Sequence, residues 1–164
     1  MVRNELFQNH KILAEYRLID GIIGLKLLNT ETDATIGIVS NYLSPDSFRY
    51  GKDPEGYFNE LTSLWTDLSD CDFLIGGGDL NSRTKKSADF ISDIDGNLPP
   101  RSNPDQVENN HGKHFLQFLK DNRSVICNGR ITPEFSDYTF LSSQGNSVPV
   151  CLYNIHANRL PPIL

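Results

Sequence analysis

The run Cys71-Asp72-Phe73-Leu74-Ile75 stops at three successive glycines, Gly76-Gly77-Gly78, which lead into Asp79-Leu80-Asn81-Ser82-Arg83. A short apolar run closed by glycine is how a buried strand ends, so a sheet with a polar turn at its mouth is expected. The preceding segments agree. Residues 11–18, 21–28 and 34–40 are apolar, partly alternating runs separated by the turn formers Asp20-Gly21 and Asn29 to Asp33, and they read as three sequential strands. Asp53-Pro54-Glu55 then puts a cap residue before a proline at the first helical position, and Phe58, Leu61, Leu64, Trp65 and Leu68 follow at helical spacing. A helix over about 54–69 thus feeds the glycine-ended strand.

Residues 81–110 are polar and rich in Ser, Asp, Asn and Pro, with a weak helical hint at Ala88 to Ile91; so long a stretch is either functional or poorly ordered. A second helix is expected at about 111–121, capped by Asn109 or Asn110, with Phe115, Leu116, Phe118 and Leu119 on its apolar side. Strands recur at Val125 to Asn128, Tyr138 to Leu141 and Ser147 to Tyr153, the last pair joined through Gln144-Gly145-Asn146. The order β-β-β-α-β-loop-α-β-β-β predicts sheets covered by helices on their outer faces.

The chain's 164 residues fit one domain, and its 38% apolar residues suffice for a packed core. No apolar run is long enough to span a membrane, and Met1 to Leu6 lack a secretory signal, so an intracellular protein, nuclear or cytoplasmic, is expected. Cys71, Cys127 and Cys151 have no Cys-x-x-Cys spacing and read as reduced thiols. A net charge of −6 argues against tight, non-specific nucleic-acid binding by this chain. It suits a carboxylate-lined cation site, although most excess Asp and Glu in any protein simply face solvent.

The candidate chemistry lies after the glycines. Glycine lacks a Cβ, so this turn can bring a carboxylate and a carboxamide to a strand end with room for a phosphate beside the backbone. Asp79 would activate a water and Asn81 would donate to a phosphate oxygen. Read alone, the same sequence also serves as a plain turn. Arg83, Lys85 and Lys86 form the dense basic cluster of the chain, fit either for attracting phosphate or for a solvated loop. His111 and His114, spaced i and i+3 without an acidic or thiol partner at metal spacing, read as solvent-exposed. Asp93-Ile94-Asp95-Gly96 fails as a calcium loop, since Ile91 and Ser102 occupy the first and twelfth positions.

The ordered motifs Asn41-Tyr42-Leu43-Ser44-Pro45, Gly78-Asp79-Leu80-Asn81-Ser82-Arg83, Asn110-His111-Gly112, Val125 to Gly129, Tyr138-Thr139-Phe140 and Gly145 to Val148 resemble the endonuclease/exonuclease/phosphatase superfamily. The closest resemblance is to the endonuclease domain of non-LTR retrotransposon polyproteins, over about residues 11–148, with 149–164 a divergent tail. It implies a mixed α and β, DNase I-like fold: a partial four-layer α/β/β/α sandwich with two β-sheets flanked by helices. It implies a magnesium-dependent phosphodiesterase acting on DNA, in which Asp79 aligns and deprotonates the attacking water and offers a metal ligand. Asn81 would hold the scissile phosphate, and Tyr42 would contact it from the neighbouring loop.

The chain departs from that pattern at both ends. The family's early Asn and metal-binding Glu stand before the strand matching residues 11–18. Val150 and Cys151 stand where the family has the Asp-Tyr that orients its histidine, and the sequence ends on Asn158 to Leu164 instead of Ser-Asp-His. His156 lies in no such motif and reads as a surface residue. A single truncated domain is therefore expected, with open strand edges that invite a protein partner or aggregation. Weak magnesium binding and weak or absent hydrolysis should follow. The alternatives are a non-catalytic binding or scaffolding module derived from that fold, or a cellular protein that continues into the missing strands.

Overall fold

The computed structural model describes residues 8–19, 21–46, 49–95, 98–103, 105–130, 140–142, 145–147 and 150–154. Three antiparallel strands open the chain: β1 (His10–Arg17), β2 (Ile22–Asn29) and β3 (Thr35–Tyr42). Helix α1 (Pro54–Asp67) carries the chain back over the sheet, so that β4 (Phe73–Asp79) lies parallel to β3. A parallel neighbour requires such a crossover, because a tight turn only reverses direction. After α2 (Ser92–Asp95) and α3 (Asn110–Asp121) come β5 (Ser124–Ile126), β6 (Phe140–Ser142), β7 (Gly145–Ser147) and β8 (Val150–Asn154). The main sheet has the order β1-β2-β3-β4-β8-β5, and β6 and β7 form a separate two-stranded sheet.

α1 starts because Asp53 accepts from the Gly56 N–H (2.9 Å) and Pro54 needs no donor at the first helical position. Its Phe58, Leu61, Leu64 and Trp65 join Ile22, Val39 and Leu74 of the sheet and Phe115, Phe118 and Leu119 of α3 in one buried core. Alternation sets the buried face of the strands, since Ile22, Gly24, Gly37, Val39 and Leu74 are buried at every second position. Gly24 lets the Leu64 methyls approach the sheet closely. Phe58, Phe115 and Phe118 stack or tilt at 5.8–6.4 Å, and Trp65 meets Phe118 edge-on while donating to Ser124 Oγ at 3.0 Å. Each fully buried large apolar side chain contributes roughly 1.5–3 kcal/mol, so this three-element junction holds the helix layer on the sheet.

Four expectations need correcting. The glycine-ended strand does not stop at Ile75: Gly76, Gly77 and Gly78 continue β4, opposite Val39, Ser40 and Asn41 of β3 and Leu152, Cys151 and Val150 of β8. Pairing on both sides satisfies the glycine backbone and outweighs its low strand propensity. Second, the run from Ser147 to Tyr153 splits. Gly145–Ser147 pairs with Phe140–Ser142, whereas Val150–Asn154 inserts between β4 and β5. Third, that insertion pairs β4 on both edges, so among the described residues the outer strands of the main sheet are β1 and β5, and the central strands are paired on both sides. Fourth, the helical hint at Ala88 to Ile91 falls instead on the single turn Ser92–Asp95. His156, residues 158–164 and Tyr138-Thr139 lie outside the described residues. No helix of the described residues is long and apolar enough to cross a membrane.

Candidate functional site

The parallel register of β3 and β4 places Tyr42 directly beside Asp79, because both strands run out at the same end of the sheet. Just before Asp79, Gly78 adopts φ +151°, and a Cβ there would collide with the Asn41 carbonyl oxygen. Only glycine fits at that close approach. After Asp79 the Leu43 N–H donates to the Asp79 carbonyl oxygen (2.9 Å), extending the β3–β4 ladder one step past the strands.

Asn81 then takes a left-handed conformation, φ +47°, which Asn tolerates better than most residues. Three bonds fix it there. Its backbone N–H donates to Asp79 Oδ1 (2.9 Å), its Nδ2 donates to the Leu43 carbonyl (2.9 Å), and its own carbonyl accepts from Asn109 Nδ2 (2.8 Å). Tyr42, Asp79 and Asn81 thus meet at one strand mouth. Tyr42 is 54% exposed, and Asp79 and Asn81 are half-buried. On the other side of β4, the register sets Val150 opposite Gly78.

Asn109 is the keystone of the flank. Besides its bond to Asn81, its Oδ1 accepts from Gly112 N (2.8 Å), capping α3, and from Arg83 N (2.9 Å). The sequence marks it only as a helix cap. The basic cluster divides at this point. Arg83 is held by Asp105 through Nε–Oδ2 (2.9 Å) and Nη2–Oδ1 (2.7 Å). That guanidinium keeps the Asp105 carboxyl below its ordinary value, against the opposing effect of burial. Lys85 and Lys86 are exposed, with Lys85 at φ +49°.

Further along, the long polar segment is anchored rather than loose. Asp89, 2% exposed, receives Arg130 Nη1 and Nη2 (3.0 and 2.9 Å) and the Ile126 N–H (2.8 Å). Burial alone would raise its carboxyl, but the guanidinium and the amide together bring it below the usual carboxylate value. Arg130 also donates to the carbonyls of Pro99 (2.8 Å) and Ile126 (2.7 Å).

The expectation for His111 is corrected: it is fully buried. Its Nε2 meets the Gly51 carbonyl (2.7 Å) and the Asp46 carboxylate, both acceptors, so that nitrogen carries the proton. The first turn of α3 therefore docks onto the segment following Tyr42, which no periodicity in the sequence announces. His114 is half-buried.

The donor set around Asp79 does not by itself fit a magnesium site. Among the described residues no three His, Cys, Asp or Glu side chains cluster as metal ligands, and one Asp79 oxygen already accepts the Asn81 N–H. Magnesium keeps several waters and takes one or two carboxylates together with substrate phosphates, so Asp79 would offer it one ligand and hold it weakly until a phosphate completes the shell.

No protein-family model matches this sequence, and no curated protein matches it. Solved structures do. The human Nocturnin catalytic domain with bound sulfate aligns with 91% of this chain and 50% of its own, at 13% identity and a TM-score of 0.56. The AP endonuclease LMAP from Leishmania major aligns over 82% of this chain and 46% of its own, at 12% identity and a TM-score of 0.55. This chain, which spans about half the length of these two, has the DNase I-like fold that they share.

Proposed function

We propose that the Tyr42–Asp79–Asn81 mouth is a phosphate-ester site of the phosphodiesterase type, and that this chain hydrolyses DNA phosphodiesters weakly or not at all. The observation that supports the reading is the pairing of Tyr42 with Asp79 across β3 and β4, with Asn81 bonded to both flanks. The second Nδ2 hydrogen of Asn81 and the exposed Tyr42 hydroxyl are the donors for a phosphate oxygen. Asp79 Oδ2 is the acceptor for the proton of a water attacking phosphorus, while the ester P–O bond breaks and the leaving oxygen takes a proton from solvent. Weakness follows from charge. Among the described residues no set of carboxylates gathers to hold a cation at this mouth, and neutralisation of the developing negative charge by a bound cation supplies much of the barrier lowering in phosphoryl transfer. The retroelement-type endonuclease is the specific relative this reading favours, on the motif order in the sequence.

A second reading has its own support. One amide hydrogen of Asn81 is spent on Leu43 and one oxygen of Asp79 on Asn81 itself, an arrangement that also suits a rigid, non-catalytic phosphate-binding or scaffolding module. Supercoiled plasmid incubated with the purified chain and magnesium separates the two. Slow nicking that disappears in Asp79→Ala supports the hydrolytic reading. Nicking that persists undiminished in Asp79→Ala overturns the role of Asp79, and the absence of nicking with retained phosphate binding supports the second reading.

A further inference from the structure

Beside the phosphate mouth lies a cavity of about 760 Å³, and Tyr42 belongs to its wall. Apolar groups from the β1–β2 turn and the end of β3, namely Leu18, Ile19 and Leu43, form one side. Gly56, Tyr57 and Glu60 of α1 close the other, Glu60 lying one turn on from both at i+4 and i+3. Tyr57 is fixed by donating from its hydroxyl to the Gly21 carbonyl (3.2 Å), and burial pushes its phenol well above the ordinary value, so it stays a neutral aromatic wall. Ser44 also lines the space, and its hydroxyl is buried without a hydrogen-bond partner among the described residues.

We infer that this cavity is a base subsite, adjoining the phosphate mouth, for a nucleobase that presents a pair of N–H donors, guanine above all. Two features select that chemistry. Aromatic and aliphatic walls favour a flat, weakly polar ring. The acidic groups at the rim, Asp53 and Glu60, exclude a phosphate and favour N–H donors. One Asp53 oxygen is occupied by the Gly56 N–H; Glu60 is exposed and offers two oxygens to the parallel N1–H and N2–H of guanine. Thymine presents two carbonyls and one N–H, and would set oxygen against carboxylate. The location rests on the proposed phosphate reading, since Tyr42 is common to both sites, and a single nucleotide would place its phosphate at Asn81 and its base against Tyr57.

Titration of the full chain with deoxyguanosine, thymidine and dGMP, followed by calorimetry or tyrosine fluorescence, tests this. Deoxyguanosine should bind roughly tenfold or more tightly than thymidine, the discrimination a bidentate base contact gives. Glu60→Gln replaces an acceptor oxygen by a donor on an exposed helix position, leaves the fold intact, and should cut the preference below about threefold. Equal binding of the two nucleosides, no binding of deoxyguanosine, or a preference unchanged in Glu60→Gln overturns the base subsite. Asp79→Ala and Asn81→Ala report separately on the phosphate. Loss of dGMP affinity towards that of deoxyguanosine in Asn81→Ala supports the adjoining phosphate mouth. Unchanged dGMP affinity in both variants, with the guanine preference intact, removes the phosphate reading and leaves the pocket standing.

Discussion

Replacing Asn109 separates the helix from the site, because one side chain serves both. Its Oδ1 caps α3 through Gly112 N and holds Arg83 N, while its Nδ2 holds the Asn81 carbonyl. Asn109→Ala removes all three bonds. A lost cap costs about 1 kcal/mol, and each of the other two partners, left half-buried without a bond, costs about 1 kcal/mol more. The expected loss is about 3 kcal/mol, a large fraction of a typical domain's stability. Asn109→Asp keeps both acceptor bonds but replaces the donation to Asn81 by a carboxylate oxygen facing the Asn81 carbonyl. That change costs about 1–2 kcal/mol and is partly offset by about 0.5 kcal/mol from a negative charge at the helix N-terminus, so Asn109→Asp should stay at least about 1 kcal/mol more stable than Asn109→Ala. Urea unfolding followed by the fluorescence of Trp65, the chain's one tryptophan, reads both. Phosphate binding should weaken in Asn109→Asp although the fold survives, since Asn81 then holds φ +47° with one anchor fewer. Equal unfolding midpoints for the two variants, or a loss below about 1 kcal/mol in Asn109→Ala, would refute the shared-anchor reasoning.

Two other perturbations follow from buried geometry. Asp89→Ala leaves the Arg130 guanidinium buried and unpaired, and should cost about 3–5 kcal/mol in urea unfolding; a cost below about 1 kcal/mol counts against the staple. The folded Asp89 carboxyl titrates below its unfolded value of about 3.9, so its stabilisation is present above that pH and is lost as pH falls through the lower folded value. Thermal midpoints recorded from pH 7 down to pH 3 should therefore drop, and Asp89→Asn should drop less steeply over that window. Gly78→Ala forces a Cβ onto the Asn41 carbonyl at φ +151° and should cost about 2 kcal/mol or more, read by the same unfolding assay; a cost below about 0.5 kcal/mol counts against the close approach.

Periodicity and caps made the frame legible. Asp53-Pro54 and the Phe58 to Leu68 spacing mark α1 within two residues, and the alternation of the first three runs marks β1 to β3. The convergence of Tyr42 and Asp79 was expected from the motif resemblance alone, since periodicity marks the two strands and the helix between them but not that the strands are parallel neighbours in that register. Contacts of high sequence separation were not. Gly76 to Gly78 look like a terminator until both of their neighbours are known, and β8 reaches them from more than 70 residues downstream. His111 looks exposed because its partners, Gly51 and Asp46, are some 60 residues away. The Asp89–Arg130 pair is likewise silent, because an ion pair leaves no period in the chain.

Those internal ion pairs bear on nucleic-acid affinity. Counted from the sequence, the loop after Asp79 offers Arg83, Lys85, Lys86 and Arg101 to a phosphate backbone. In the fold, Arg83 is bound by Asp105, and Arg101 donates to Thr84 Oγ1 (2.9 Å) and the Lys85 carbonyl (3.2 Å). The remaining exposed cations of the loop are Lys85 and Lys86, on a chain of net charge −6. Each neutralised duplex phosphate contributes about −0.9 to the slope of log K against log salt, so two contacts give a slope of about −2, against about −4 if all four cations engaged. Fluorescence anisotropy with a short duplex between about 50 and 200 mM salt measures it. Lys85→Ala with Lys86→Ala should flatten the line, whereas Arg83→Ala should leave the slope unchanged and lower the thermal midpoint by releasing Asp105. A slope near −4, or one that falls in Arg83→Ala, would mean that the arginines leave their carboxylate and carbonyl partners for DNA. The loop would then be a nucleic-acid grip rather than the rigid wall of a small phosphate site.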